Sequence, residues 1–301
     1  MNQPAAHTEQ LSAATIRDEL RQAAYADVDA ALGQLSKSSD SPVEAVHACR
    51  KAIKRLRALV RLGSCVGKDW QKLDRQLRDT GRMLGPARDA TVIRQTLQSL
   101  LADSALLETI EDEIPAGYRM LESAELADKA GARLNAIKDA LPGFFANEHR
   151  WAWPAVVAAA ALGYERAAQH MREFLVHDSD ETAHEWRKAV KQHASQLALL
   201  VTKKGGKWST HTALLETLST RLGEHHDCSI VRARLRRGAG GARKKTVKAA
   251  RKAAAAHQAD LRRHALRTGG KAFSRTAENF AGALVRARAS HVIRAVAMHG
   301  D

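Results

Sequence analysis

Apolar residues recur every third or fourth position through most of the chain, the spacing that gathers them on one stripe of an α-helix. Between positions 45 and 61 the stripe is Val46, Cys49, Ile53, Leu56, Leu59 and Val60; further on it is Trp186, Val190, Leu197 and Leu200. Strictly alternating β-branched runs are missing, and only six prolines interrupt an Ala- and Leu-rich sequence, so the pattern predicts an all-α protein. Helices are expected at 9–35, 42–62, 68–84, 89–103, 118–139, 153–175, 179–202, 208–222, 228–237, 242–268 and 271–298. Glycines placed beyond helix C-termini mark the expected breaks: Gly63 to Gly67, Gly85 to Pro86, Leu141 to Gly143, Gly205 to Gly206, Gly238 to Gly241 and Gly269 to Gly270. Short connections of this kind predict antiparallel neighbours in helical bundles.

The polar side of the pattern repeats as well. Glu44, His47, Arg50, Lys51 and Lys54 return as Glu181, His184, Arg187, Lys188 and Lys191, each offset by 137. Leu84 and Gly85 precede Arg88 and Asp89, and Leu222 and Gly223 precede His226 and Asp227, offset by 138. Ser41, Pro42 and Glu44 read as an N-cap, a proline at the first helical position and a capping-box acid, with Asp178 and Glu181 in the matching places. Gly85 and Gly223 read as helix stops, and Asp89 and Asp227 as the caps of the helices that follow. A chain of 301 residues then suits one domain, 1–301, assembled from two similar halves, 10–145 and 150–298.

At 3.6 residues per turn His47, Arg50, Lys51, Lys54 and Arg61 fall on one side of their helix, with Arg55 and Arg57 at its margins. Cations one turn apart, about 5 to 6 Å from each other, match the spacing of a phosphate chain. His184, Arg187, Lys188 and Lys191 form the same face, but that ladder stops early because Ser195 and Ala198 follow. Histidine at the start of each face can donate a hydrogen bond when neutral or act as a cation beside an anion. His193 falls on the apolar side of its helix and reads as an interior residue.

Charge distribution sharpens the expectation. The net charge is +15; residues 228–301 hold 18 Lys or Arg against 3 acids, whereas residues 1–227 hold 30 of each. Residues 47–94 carry 13 basic and 4 acidic groups, and residues 95–183 carry 7 and 15. Basic zones flanking an acidic one focus potential and attract polyanions. Cys49, Cys65 and Cys228, odd in number and with no C-x-x-C pair, indicate neither a disulfide framework nor a thiolate metal site. The longest apolar run, Trp151 to Gly163, is short of the roughly 20 residues that cross a membrane, and the first 15 residues lack an export pattern. A soluble cytoplasmic protein with no membrane contact is the expectation.

The two H-x-x-R-K-x-x-K helices, together with L-G-x-x-R-D and L-G-x-x-H-D, resemble the CHAD domain (conserved histidine α-helical domain), over roughly residues 10–290. The resemblance implies an all-α fold of two similar antiparallel four-helix bundles around a basic groove or channel, which binds inorganic polyphosphate, often at polyphosphate granules. It carries His47, Arg50, Lys51, Lys54, Arg57, Arg88, His184, Arg187, Lys188 and Lys191 over as phosphate contacts. The face itself adds Arg61, and the basic C-terminal helices add Lys244, Lys248 and Arg251. Members are often joined to a CYTH triphosphatase domain with an E-x-E-x-K strand, which is not found in this sequence.

Three rival readings compete. The tail Arg243, Lys244, Lys245, Lys248, Arg251 and Lys252 suits a nucleic-acid backbone, or any polyanion. Aromatic residues are 4% of the chain and are not interleaved with the basic faces, against the stacking platforms of single-strand binders. Glu44 with His47, and Glu181 with His184, have the E-x-x-H spacing of di-iron carboxylate bundles. Arg and Lys one turn further on the same face would repel a divalent metal, so no metal and no cofactor is expected. The expected function is non-enzymatic binding of inorganic polyphosphate, with polyphosphate-granule proteins as further partners.

Overall fold

The computed structural model describes residues 4–37, 42–84, 124–201, 207–237 and 244–298; Arg88, Asp89 and the helix expected at 89–103 lie outside them. The described residues form helices α1 (Pro4–Leu35), α2 (Pro42–Leu62), α3 (Trp70–Met83), α4 (Ala124–Ala146), α5 (Trp153–Val176), α6 (Asp180–Leu200), α7 (Lys207–Arg237), α8 (Lys244–Ala272) and α9 (Ala277–Met298), with a 3-10 turn at Glu148–Trp151. Among them there is no strand, as the apolar period requires.

Helix α1 packs on α2 and α4, and α3 also packs on α2 and α4. Beyond them α6 lies against α5 and α7, α8 against α7, and α9 against α5. Helices α2 and α6, which carry the repeated motif, pack on each other. Both are 21 residues long. One core runs through all of this: Ile53, Leu56 and Leu59 from α2 join Trp151, Tyr164, Phe174, Trp186 and Phe280, each no more than 2% exposed.

Three expected breaks are not breaks. Helix α7 continues through Gly223 and Asp227, α8 through Gly269 and Gly270, and α4 through Pro142. Gly269 is there for contact: a Cβ on it would stand 2.6 Å from the Trp186 ring and 2.8 Å from the Met171 sulfur. A glycine that admits an indole reads in sequence like one that ends a helix. Pro142 sits four residues from the end of α4, where little helix remains to distort. The last turn of α4 is pinned by Phe145, stacked on Trp151 at 4.6 Å, and by Phe144, edge-on to the same indole at 5.3 Å. The break at Gly63 to Gly67 is real, and Gly67 takes φ of 73°, the left-handed conformation that glycine adopts without a Cβ penalty.

The cap of α6 also differs from its reading. Ser179 is the N-cap, and Thr182 completes the capping box where Glu181 was expected to. Asp178 instead pairs with Arg262 of α8, Nε to Oδ1 2.8 Å. A hydroxyl on each side of the first turn satisfies two orphan amides without a charge.

Candidate polyanion-binding surface

Helix α2 divides its polar side in two. His47, Lys51 and Lys54 are exposed to solvent, while Ala45, Val46, Cys49, Ala52, Ile53, Leu56 and Leu59 are buried beneath them. Arg50 is half-buried and donates from Nη1 to the Gly81 carbonyl at 2.5 Å, so it satisfies an oxygen in the last turn of α3. Arg57 and Arg61 turn inward. Both grip Asp74 of α3: Arg57 at 2.9 and 3.2 Å, and Arg61 at 3.1 and 2.8 Å. Arg61 also donates to Gln192 of α6, and Arg55 is paired with Asp27 of α1. Burial raises the Asp74 carboxyl, but hydrogen bonds and charge from Arg57 and Arg61 outweigh that and hold it below its ordinary value. The ladder read from the helical wheel is thus an exposed upper part and a lower part clamped to α3.

Helix α6 presents its motif differently. Arg187 is 7% exposed and lies against α7 at Gly223, with its Nε 3.9 Å from where a Cβ would be. Lys188 is exposed and paired with Glu185 at 2.5 Å, and Lys191 is half-buried. The His184 ring stands 4.6 Å from the His226 ring of α7, tilted by 38°. Burial, then the charges of Lys188 and Arg187, push the His184 pKa below its ordinary value, so its resting form at neutral pH is the neutral imidazole. His193 is fully buried, as its place on the wheel predicts.

Of the C-terminal candidates, Lys244, Lys248 and Arg251 are exposed on α8. That helix is locked in place by buried Gln258, whose amide donates to Asp180 at 2.6 Å and whose oxygen accepts from Arg232 of α7. Arg88 lies outside the described residues. His226 was not among the candidates, because Gly223 and Asp227 read as a helix stop and the cap of the helix that follows. The signal was nevertheless present: His226 occupies the place of Arg88 at the offset of 138. The E-x-x-H pairs gather no further ligands; among the described residues no cluster of three or more His, Cys, Asp or Glu could hold a metal ion. Nor is any described helix long and apolar enough to cross a membrane.

An all-helical chain with H-x-x-R-K-x-x-K on each of two helices that pack together is the class that fold and site define. The CHAD domain model matches residues 14–236 of the 301, and the chain belongs to that family. No curated protein matches it. Helices α8 and α9 lie past the matched residues, yet they supply Ala265, Ala272, Phe280 and Leu284 to the same core, and the turn between them supplies Phe273.

Proposed function

We propose that the protein binds inorganic polyphosphate without chemical turnover, in the cytoplasm and at polyphosphate granules, where granule proteins are its further partners. Membership of the CHAD family carries this reading, supported by the exposure of His47, Lys51, Lys54 and Lys188 on two helices that pack together. Each exposed cation contributes little alone, since a solvated ion pair is worth about 0 to 1 kcal/mol. A polyphosphate chain meets several at once, and lysines and arginines bind successive phosphates through charge-assisted hydrogen bonds along a basic groove. Arg57 and Arg61 serve that surface by position: with Asp74 they tie α2 to α3.

The test is a competition titration of long-chain polyphosphate against single-stranded and duplex DNA of equal phosphate content, at near-physiological salt. The expected result is preference for polyphosphate, with affinity falling steeply as salt rises, as it does when bound counterions are released. The variant Lys51→Glu with Lys54→Glu reverses two exposed charges and leaves the Arg50 bond to Gly81 intact. It should weaken binding at least tenfold, the effect of about 1.4 kcal/mol, with unfolding unchanged. Equal or tighter binding to DNA would replace polyphosphate with nucleic acid as the ligand.

A further inference from the structure

Helices α7 and α8 run on together past the ends of their neighbours. Gln258 of α8 stands level with the start of α6, donating to Asp180 at 2.6 Å, and Arg262 reaches Asp178 and the Leu175 carbonyl in the last turn of α5. From Gln258 back to Lys244, α8 continues beyond both helix ends for about 20 Å, at a rise of about 1.5 Å per residue. Its partner there is α7, and the pair closes over Val231, Leu235, Ala250 and Ala254, all buried yet outside the common core. The α8 side of this two-helix arm lies past the residues matched to the CHAD domain. Between positions 230 and 256 there are ten Lys or Arg and no acid. Lys244, Lys245, Lys248, Arg251 and Lys252 fall within about a third of the circumference of α8, and all five are exposed. Among the described residues none of the five meets a carboxylate, whereas Lys188, Arg262 and Arg263 each do.

Like charges three and four residues apart repel, so this stripe weakens the helix that carries it. Solubility does not require it, because interspersed charges of both signs serve as well. The stripe is complementary to a polyanion, and shape then chooses among polyanions. A flexible phosphate chain is held best in a groove, whose walls reach it from several sides; a projecting rod needs a partner with a groove of its own. The major groove of B-form DNA is about 12 Å wide and admits one α-helix, itself about 10 to 12 Å across. The other exposed positions of this stretch, Ala249 and Ala256, are short and let the backbone of α8 approach closely. We infer that the α7–α8 arm binds duplex DNA by laying the basic face of α8 in the major groove, with its cations against the flanking phosphates. Contacts from Lys and Arg to phosphate position a protein without reading bases, so the binding is independent of sequence. This ligand is additional to polyphosphate. It takes Lys244, Lys248 and Arg251 for a second surface, and one molecule can hold a duplex and a phosphate chain together.

The experiment titrates the full chain with labelled duplex DNA of mixed sequence, duplex RNA of equal length and long-chain polyphosphate, each over a range of salt. A-form RNA carries the same phosphates, but its major groove is too deep and narrow to admit the helix. Wild type should bind the DNA with a Kd of about 1 to 100 μM at physiological salt, and more tightly than the RNA. If all five cations reach phosphate, doubling the salt should weaken DNA binding about 20-fold. Lys245→Glu with Lys252→Glu, at two exposed positions of the stripe, should lower DNA affinity by at least about tenfold. The same variant should leave polyphosphate affinity and the circular dichroism spectrum unchanged. Lys51→Glu with Lys54→Glu should do the reverse, losing polyphosphate and keeping DNA. Equal binding of DNA and RNA overturns the inference, as does an arm variant that keeps wild-type DNA affinity, or one that loses polyphosphate to the same extent. If polyphosphate does not bind while DNA binding still depends on Lys245 and Lys252, the proposed function falls and this inference stands.

Discussion

Asp74 offers the sharpest test of how the basic face is held. Its side chain is 12% exposed and accepts from two guanidinium groups whose side chains are 27% and 22% exposed. A hydrogen bond to a charged group contributes about 1.5 to 3 kcal/mol net, and removing one partner of a buried ion pair costs about 3 to 5 kcal/mol. Because both arginines keep contact with water, and because asparagine retains one acceptor oxygen, Asp74→Asn should cost about 2 to 4 kcal/mol. The pH dependence has a definite sign. The folded-state pKa is depressed, so the stabilisation is complete above the ordinary value and disappears as pH falls through the lowered one. Urea unfolding followed by circular dichroism, wild type against Asp74→Asn, should therefore show the full difference at pH 7 and a smaller one at pH 3. A loss below about 0.5 kcal/mol at pH 7, the range of ordinary surface changes, would refute the clamp. It would return Arg57 and Arg61 to the set of available phosphate contacts.

Two glycines that looked alike in sequence should respond oppositely to alanine. Gly223→Ala adds a methyl in ordinary contact with Arg187 within a continuous helix and should be neutral or stabilise by up to about 1 kcal/mol; a loss of stability in urea would restore the helix-stop reading. Gly269→Ala drives a methyl into Trp186 and Met171 and should destabilise by about 1 to 3 kcal/mol, so an unchanged unfolding midpoint would deny the close contact. Burial pushes His193 down to about 3, and burial with the charge of Arg275 pushes His211 down to about 4. Both are depressed histidines, so stability is complete above the unfolded value near 6.5 and declines in acid by about 1.4 kcal/mol per pH unit for each. His193→Leu should remove one such contribution between pH 6.5 and 4.5, and an unaltered acid slope would sink the assignment.

The sequence revealed helices and faces better than it revealed ends and partners. Helix α2 was legible to the residue, because Pro42 starts it and the glycines from Gly63 follow it. The interior positions of Trp186 and His193 were legible for the same reason: a helical wheel needs only local geometry. Arg57 and Arg61 were on the correct helix, but their engagement with Asp74 depends on how α3 docks, and nothing within α2 encodes that. The same holds for Gly223 and Gly269, whose neighbours Arg187 and Trp186 are more than 30 residues away in the chain. Asp178 failed as a cap because a long-range partner, Arg262, competed for it while Ser179 stood ready.

The interior histidines give residues 150–298 a definite response to acid. His193 and His211 are buried where a proton is costly, so acid weakens the fold around them. A ligand that binds only the native state stabilises it by RT ln(1 + [L]/Kd). Polyphosphate bound as proposed therefore offsets part of that loss, and the bound chain should tolerate acid better than the free one.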